Sequence, residues 1–200
     1  MPRVFVNLGP PRESGFDRPL GLLSDCHRRI ESFLGDMRRV ATERRGQALS
    51  PDDQALLAGA VRYFTVAAPR HTADEEESLF PRLREAEGPR AEHALAELRR
   101  LEDDHDRADA CHAEANALAG HWLSAGTLDQ PDAQRLIELL DTLHGIYRAH
   151  IAVEDGMVFP AAGDVLDAAQ LEAIGREMAS RRGLDFDRVV GPGAGSRPAL

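Results

Sequence analysis

The sequence has no lysine, only two cysteines and no long hydrophobic run, and each scarcity excludes a class of protein. All 24 basic residues are arginine, and 34 acidic residues outnumber them, so the formal net charge is −10. An acidic chain repels phosphate backbones, so no nucleic-acid partner is expected. Cys26 and Cys111 are too few for a disulfide framework. With no apolar stretch near the roughly 20 residues that span a bilayer and no signal-peptide pattern at the N-terminus, we expect a cytoplasmic protein without membrane contact.

What the chain does contain is apolar residues at three- and four-residue spacings, which predict helices. Four long helices are expected, over about residues 20–45, 51–87, 89–124 and 132–158, and Pro69 is expected to kink the second. Ser50 and Asp129 are the expected N-caps of the second and fourth helices. A shorter fifth helix is expected over about residues 167–182. No segment alternates with the two-residue period of a strand.

These elements predict an all-α fold, an antiparallel up-down four-helix bundle with short loops. The expected segments are an irregular N-terminal lead-in (1–18), the bundle (19–163), a short appended C-terminal helix (164–184) and a disordered tail (185–200). The inward faces of the third and fourth helices are predicted to carry Leu98, Leu101, His105, Ala108, His112, Ala115, Ala119 and Trp122, and Leu136, Leu140, Leu143, Tyr147, His150, Glu154 and Met157.

Two segments of the chain repeat one pattern of histidine, glutamate, phenylalanine and proline. His71 is followed by Glu75 and His150 by Glu154, four residues later in both cases, and a Phe-Pro pair stands five and six residues after each glutamate. A single histidine precedes each segment by a matched distance, because His27 lies 44 residues before His71 and His105 lies 45 residues before His150. The chain therefore resembles two helical hairpins with equivalent donor residues.

The spacing of these residues predicts a metal site inside the bundle. Positions i and i+4 stack on one face of a helix, so each histidine and its glutamate point inward together. A buried carboxylate is costly unless it pairs or binds a metal. Four imidazoles and two carboxylates can hold two metal ions, and mixed nitrogen and oxygen ligands suit redox-active iron. Zinc stays open by residue type, although six ligands exceed a closed tetrahedral site. The predicted ligands are His27, His71, Glu75, His105, His150 and Glu154.

Three further residues near the predicted ligands could contribute to the site. His112 lies two turns after His105, and Tyr147 lies one turn before His150. Each is interpreted as a core residue or as a hydrogen-bonding neighbour of the metal ligands, with direct ligation as the alternative. Asp109 lies one turn after His105 and is either an added ligand or a solvated helix residue.

These motifs resemble the hemerythrin-like, or histidine–histidine–glutamate cation-binding, domain over about residues 20–162. The residues that carry the resemblance are those around His27, the His71–Pro81 and His150–Pro160 segments, and Asp104-His105. The resemblance implies two iron ions bridged by an oxo or hydroxo group and by Glu75 and Glu154. Oxygen-carrying members have a further histidine one turn along the third helix, where this chain has Asp109. This sequence is therefore more similar to the regulatory, stress-response and cluster-repair branches.

Three functional hypotheses follow from this sequence. The first is a non-haem di-iron protein that binds or reacts with a small oxidant, which could be dioxygen, peroxide or nitric oxide, with peroxide decomposition in a stress response as one activity. The second is a non-enzymatic sensor of iron or oxygen, or an iron-binding regulator, whose protein partner the sequence does not identify. The third is a structural helical bundle whose histidines coincide by chance.

Overall fold

A computed structural model describes residues 14–45 and 47–191. Over these residues the chain forms helices and no strand, which confirms the all-α class. Helical stretches run from 19 to 44, 51 to 85, 89 to 125 and 130 to 165, and two shorter helices follow. The elements are α1 (Pro19–Arg44), α2 (Pro51–Arg62), a first π turn (Tyr63–Ala67), α3 (Ala68–Asp74), a second π turn (Glu75–Leu79), α4 (Phe80–Glu85), α5 (Pro89–Ala125), α6 (Gln130–Val153), a third π turn (Glu154–Val158), α7 (Phe159–Val165), α8 (Ala168–Arg181) and α9 (Phe186–Val190).

Side-chain caps begin the helices where the sequence predicts them. The Ser50 hydroxyl accepts a hydrogen bond from the backbone N–H of Asp53 at 3.2 Å. The Asp129 carboxylate accepts one from the N–H of Asp132 at 2.8 Å. Both caps satisfy backbone donors that have no partner inside the helix. The predicted caps of the second and fourth stretches are thus confirmed.

Each π turn ends two residues before a proline. The turns begin at Tyr63, Glu75 and Glu154, and prolines stand six residues after each start. A proline cannot donate its backbone nitrogen, and its ring clashes with the carbonyl four residues earlier. The wider π turn moves that carbonyl away and keeps the helix continuous. Before Pro69, where a kink is predicted, the chain makes a π turn within an unbroken helical stretch.

The described chain divides into two compact units, each with its own hydrophobic core. The first unit comprises Arg28–Pro69 and Asp103–His150, and the second comprises residues 14–27, Arg70–Glu102 and residues 151–191. All four long stretches contribute a segment to each unit. The core of the first unit includes Phe33, Leu57, Phe64, Trp122, Leu136 and Leu143, and that of the second includes Leu23, Leu79, Phe80, Leu101, Phe159 and Ile174.

Two predictions about the fourth stretch and the tail are wrong. Met157 was expected to point inward but is 39 % exposed, while Val158 is fully buried. The π turn rotates less per residue than an α turn, so the inward position shifts by one residue. Residues 186–190 were expected to be disordered but form α9, whose N-cap Asp185 accepts from the N–H of Arg188 at 3.1 Å. The rest of the expected tail (192–200) and lead-in residues 1–13 lie outside the described residues.

Among the described residues, none of the helices combines the length and the apolarity that crossing a membrane requires.

Candidate metal centre

Four of the six predicted ligands converge in the second unit. His27 comes from α1, His71 from α3, and Glu75 and Glu154 open the second and third π turns. One donor atom from each residue lies within 4.8 Å of the donor atoms of the other three. The exposed fractions are 1 % for His27, 4 % for His71 and 0 % for both glutamates. The chain thus gathers two imidazoles and two carboxylates in a buried group, called here the His₂Glu₂ cluster.

The π turns place both glutamates of the cluster. The carbonyl of Glu75 accepts from the backbone N–H of Phe80, and that of Glu154 accepts from the N–H of Phe159, five residues later in each case. Single π turns inside α-helices occur frequently at functional sites. The repeated Phe-Pro pair therefore has a structural role, because its proline favours the π turn that begins at the glutamate.

The closest donor contacts in the cluster join the histidine Nε2 atoms to the carboxylates. His27 Nε2 lies 3.0 Å from Glu154 Oε2 and 3.8 Å from Glu75 Oε1. His71 Nε2 lies 3.3 Å from Glu75 Oε1. Both imidazoles thus point the same ring nitrogen at the carboxylates, which is the arrangement needed to share a cation.

A second carboxylate orients His27 from the other side of its ring. His27 Nδ1 lies 3.2 Å from Asp155 Oδ1, and the Ser24 hydroxyl donates to the same oxygen at 2.7 Å. A histidine whose Nδ1–H donates to a carboxylate keeps Nε2 available as a ligand atom. The exposed Asp155 carboxylate therefore lies where it favours a proton on Nδ1, and Ser24 holds that carboxylate in place.

Aromatic contacts hold the His27 ring from its face and its edge. Phe159 stacks on it with ring centroids 5.4 Å apart and planes inclined by 13°. His71 meets it at nearly a right angle, with centroids 5.0 Å apart. The ring orientation is thus fixed by packing as well as by hydrogen bonds, as expected of a preorganised site.

The electrostatics of the cluster favour a bound cation. Burial by itself lowers the pKa of His27, but the hydrogen bonds to Asp155, Glu154 and Glu75 outweigh it and raise that pKa well above its ordinary value. The cluster contains two buried carboxylates and no arginine. Positive charge is therefore stabilised at this position, either as a proton on His27 or as a metal ion. The donor set fits a metal.

Asp155 provides a direct test of this orientation. We expect Asp155→Asn to weaken metal binding by about tenfold to 100-fold, because an amide offers a poorer acceptor to His27 Nδ1–H. The measurement is the dissociation constant of the metal in competition with a chelator of known affinity. Asp141→Asn is the control, since Asp141 forms an exposed ion pair with Arg38 in the first unit. Equal affinities of the two variants would contradict this role.

The remaining two predicted ligands form a pair in the first unit. The rings of His105 and His150 lie with centroids 4.6 Å apart, and both side chains are buried. Asp104 Oδ2 approaches His150 Nδ1 at 4.0 Å, and Asp104 also accepts from Arg107 at 3.0 Å. The pair has the composition expected of terminal ligands, and its role in metal binding stays a prediction.

His112 and Tyr147 are hydrogen-bonded to each other. His112 Nε2 lies 3.0 Å from the Tyr147 hydroxyl, and Phe64 stacks on the imidazole at 4.4 Å. Burial lowers the pKa of His112 to about 4, so this imidazole is neutral near pH 7. The ring of Tyr147 lies 6.5 Å from that of His150. Both residues are thus placed beside a predicted ligand, and whether either touches a metal stays a prediction.

Asp109 is exposed on α5, which does not support its alternative role as a ligand. The buried positions of α5 alternate in steps of four and three, so the inward position after His105 is Ala108. This alternation is typical of coiled-coil packing. The same alternation places Asp109 on the exposed face of α5.

The contacts of Asp155 and Ser24 beside His27 are not predicted from the sequence. The signal was present, because an acidic residue directly follows each glutamate of the repeat, as Glu76 and Asp155. Neighbouring helix positions point about 100° apart, so such a residue faces away from its glutamate and can reach a histidine from another helix. The spacing within one helix does not indicate which histidine of another helix the acidic residue contacts.

The helical fold and the buried His₂Glu₂ cluster together define a helical cation-binding protein. The sequence model of the family described as "Hemerythrin HHE cation binding domain" matches residues 18–162, and the chain belongs to this family. The chain is also similar to a protein of Haemophilus influenzae that bears the name "Uncharacterized protein". The two are 27 % identical over 179 residues, which cover 88 % of this chain and 96 % of the relative.

Proposed function

We propose that the protein is a non-haem di-iron protein that binds or reacts with a small oxidant. The proposed ligands are His27, His71, Glu75, His105, His150 and Glu154, with Glu75 and Glu154 as bridging carboxylates. The observation that supports this most is the His₂Glu₂ cluster, whose four donor residues are almost fully buried within 4.8 Å of one another. The repeat of the histidine and glutamate pattern in the sequence supports the two proposed ligands outside this cluster, His105 and His150.

The choice of iron and of a small ligand follows from the donor types and their surroundings. Imidazole nitrogen combined with carboxylate oxygen is typical of non-haem iron proteins. Burial of all four cluster residues excludes large substrates, so the physiological ligand is proposed to be dioxygen, peroxide or nitric oxide. Bound iron would supply reversible electron transfer to such a ligand.

The protein residues prepare the site for this chemistry. Asp155 lies 3.2 Å from Nδ1 of His27, on the side of the ring opposite Nε2, and would favour Nε2 as the ligand atom. Glu75 and Glu154 provide negative charge that would balance a bound cation. Phe159 stacks on His27 and places apolar surface beside the buried cluster, and a site with little water strengthens the electrostatic interactions inside it.

The test is the metal content of the purified protein. We expect about two iron ions per chain by elemental analysis, as in other di-iron helical bundles, and a loss of at least half of that iron in His71→Ala. His144→Ala is the matched control, because His144 is an exposed histidine of α6. Full zinc occupancy, or equal iron in both variants, would contradict the proposal.

Reactivity is tested on the iron-loaded protein. Addition of hydrogen peroxide is expected to change the ligand-to-iron absorption, and oxygen release would identify peroxide decomposition. Iron-loaded protein whose spectrum does not respond to peroxide, dioxygen or nitric oxide would contradict this proposal and would instead support an iron sensor or an iron-binding regulator.

A further inference from the structure

Helix α8 contacts the helical segment that carries Glu75. The helix covers Ala168–Arg181 and lies beyond residues 18–162, where the family match ends. Its apolar face is buried in the core of the second unit through Ile174 and Met178. Its last residues present two arginines to the second π turn. This helix therefore lies outside the range that the family model matches, and it touches the segment that carries Glu75.

Arg181 contacts three residues around the second π turn. Its Nη1 donates to Asp74 Oδ1 at 3.0 Å, its Nη2 to the Ser78 hydroxyl at 2.8 Å, and its Nε to Glu77 Oε2 at 3.1 Å. The rigid fork of a guanidinium group fixes the relative positions of such acceptors, which a lysine ammonium cannot do. Asp74 and Ser78 are both fully buried, so these bonds form in a protected environment.

Two further arginines complete the contact between α8 and this segment. Arg182 Nη2 donates to Asp74 Oδ2 at 2.7 Å, so both oxygens of the buried Asp74 carboxylate are paired. Arg82, from α4, makes a bidentate pair with Glu177 of α8 at 2.7 and 3.0 Å. The second π turn is thus joined to α8 at both of its ends.

These contacts affect Glu75 because they limit the rotation of the helical segment that carries it. Asp74 and Glu75 are adjacent and point about 100° apart, so fixing Asp74 fixes the direction of Glu75. A side-chain tip lies about 5 Å from the helix axis, and a rotation of about 10° moves it by about 1 Å. Metal-binding groups must be held within about 0.5 Å of their working positions. A π turn is less regular than an α turn, so it needs such external support.

We propose that Arg181 and Arg182 are positioning residues for the Glu75 carboxylate, and that α8 sets the metal affinity of the His₂Glu₂ cluster. This inference rests on the proposed metal-binding function. It assigns to the appended helix a role in the site beyond covering the apolar core.

The experiment compares Arg181→Lys with Arg176→Lys in the full chain. Arg176 lies on the same helix but pairs with Glu172 and Asp187, away from the π turn. Iron(II) affinity is measured without oxygen by chelator competition, the cobalt(II) spectrum reports ligand geometry, and the melting temperature is measured without metal. Ser78→Ala, which removes one acceptor of Arg181, is a second and milder variant.

We expect Arg181→Lys to lower iron(II) affinity by about tenfold and to alter the cobalt spectrum, with Ser78→Ala in the same direction and Arg176→Lys equal to wild type. If Arg181→Lys and Ser78→Ala bind both metals as wild type does, whatever their metal-free melting temperatures, the arginine contacts are merely structural and the inference is wrong. A wild-type chain that binds neither metal would overturn the proposed function together with this inference.

Discussion

Replacing Glu75 by glutamine is expected to abolish iron retention and, at the same time, to stabilise the metal-free protein. Glu75 and Glu154 are fully buried, and both lie beside His27. Like charges held this close in the interior disfavour each other, and a buried charge without a compensating cation is costly. Glutamine has the same shape and no charge. The free energy of unfolding should rise by about 0.5–2 kcal/mol, the range of replacements that trade function for stability.

This result is measured by denaturant unfolding of chelator-treated protein together with elemental analysis. Glu138→Gln is the control, because Glu138 is an exposed residue of α6. Its free energy of unfolding should stay within about 0.5 kcal/mol of wild type, with iron content unchanged. Normal iron content in Glu75→Gln, or destabilisation of its metal-free form, would show that the cluster is not built around a cation.

Removal of iron is expected to lower the melting temperature by about 8–16 °C. A ligand that binds only the folded state adds about 4 kcal/mol when its concentration is about 1,000 times its dissociation constant. For a chain of this size, each kcal/mol corresponds to about 2–4 °C. The cluster joins α1, α3 and the second and third π turns, so unfolding any of these elements would release the metal.

Calorimetry of the iron-loaded and chelator-treated protein measures this difference. Added iron(II) should restore the melting temperature of wild type and of His121→Ala, whose histidine is exposed. It should not shift that of His27→Ala. Identical melting temperatures with and without iron would mean that the folded state has no preference for the metal.

The fold and much of the cluster could be predicted because the periodicity of a helix depends only on residues three and four positions apart in the sequence. His71 and Glu75 share a face through their spacing alone, and the buried positions of α5 from Leu98 to Trp122 follow the predicted stripe. The family match confirms the resemblance to the histidine–histidine–glutamate cation-binding domain that these motifs indicate. The six-residue ligand set itself stays a prediction until metal is measured.

What sequence reasoning did not provide depends on departures from regular helix geometry and on contacts between helices. Met157 was placed inward because a regular α-helix was assumed through Glu154, where the chain makes a π turn. The pairing of Asp155 with His27 joins residues 128 positions apart in the sequence, which no pattern within one helix encodes. The helix at residues 186–190 was missed because Phe186 packs under the Arg176 guanidinium, 4.4 Å from its ring, and a composition-based reading of the tail ignores such a contact.

The π turn at Glu154 gives its helix a place where a change of one residue in length can be absorbed. A π turn contains one residue more than the α turn that it replaces. Deleting one residue of the turn, such as Gly156, would therefore let it close as an α turn, and Phe159 would keep its place on the His27 ring. The same deletion in a regular turn of α6 would instead rotate every later residue by about 100°. Phe159 and the residues beyond it are thus protected from a shortening at the turn that opens with the cluster glutamate Glu154.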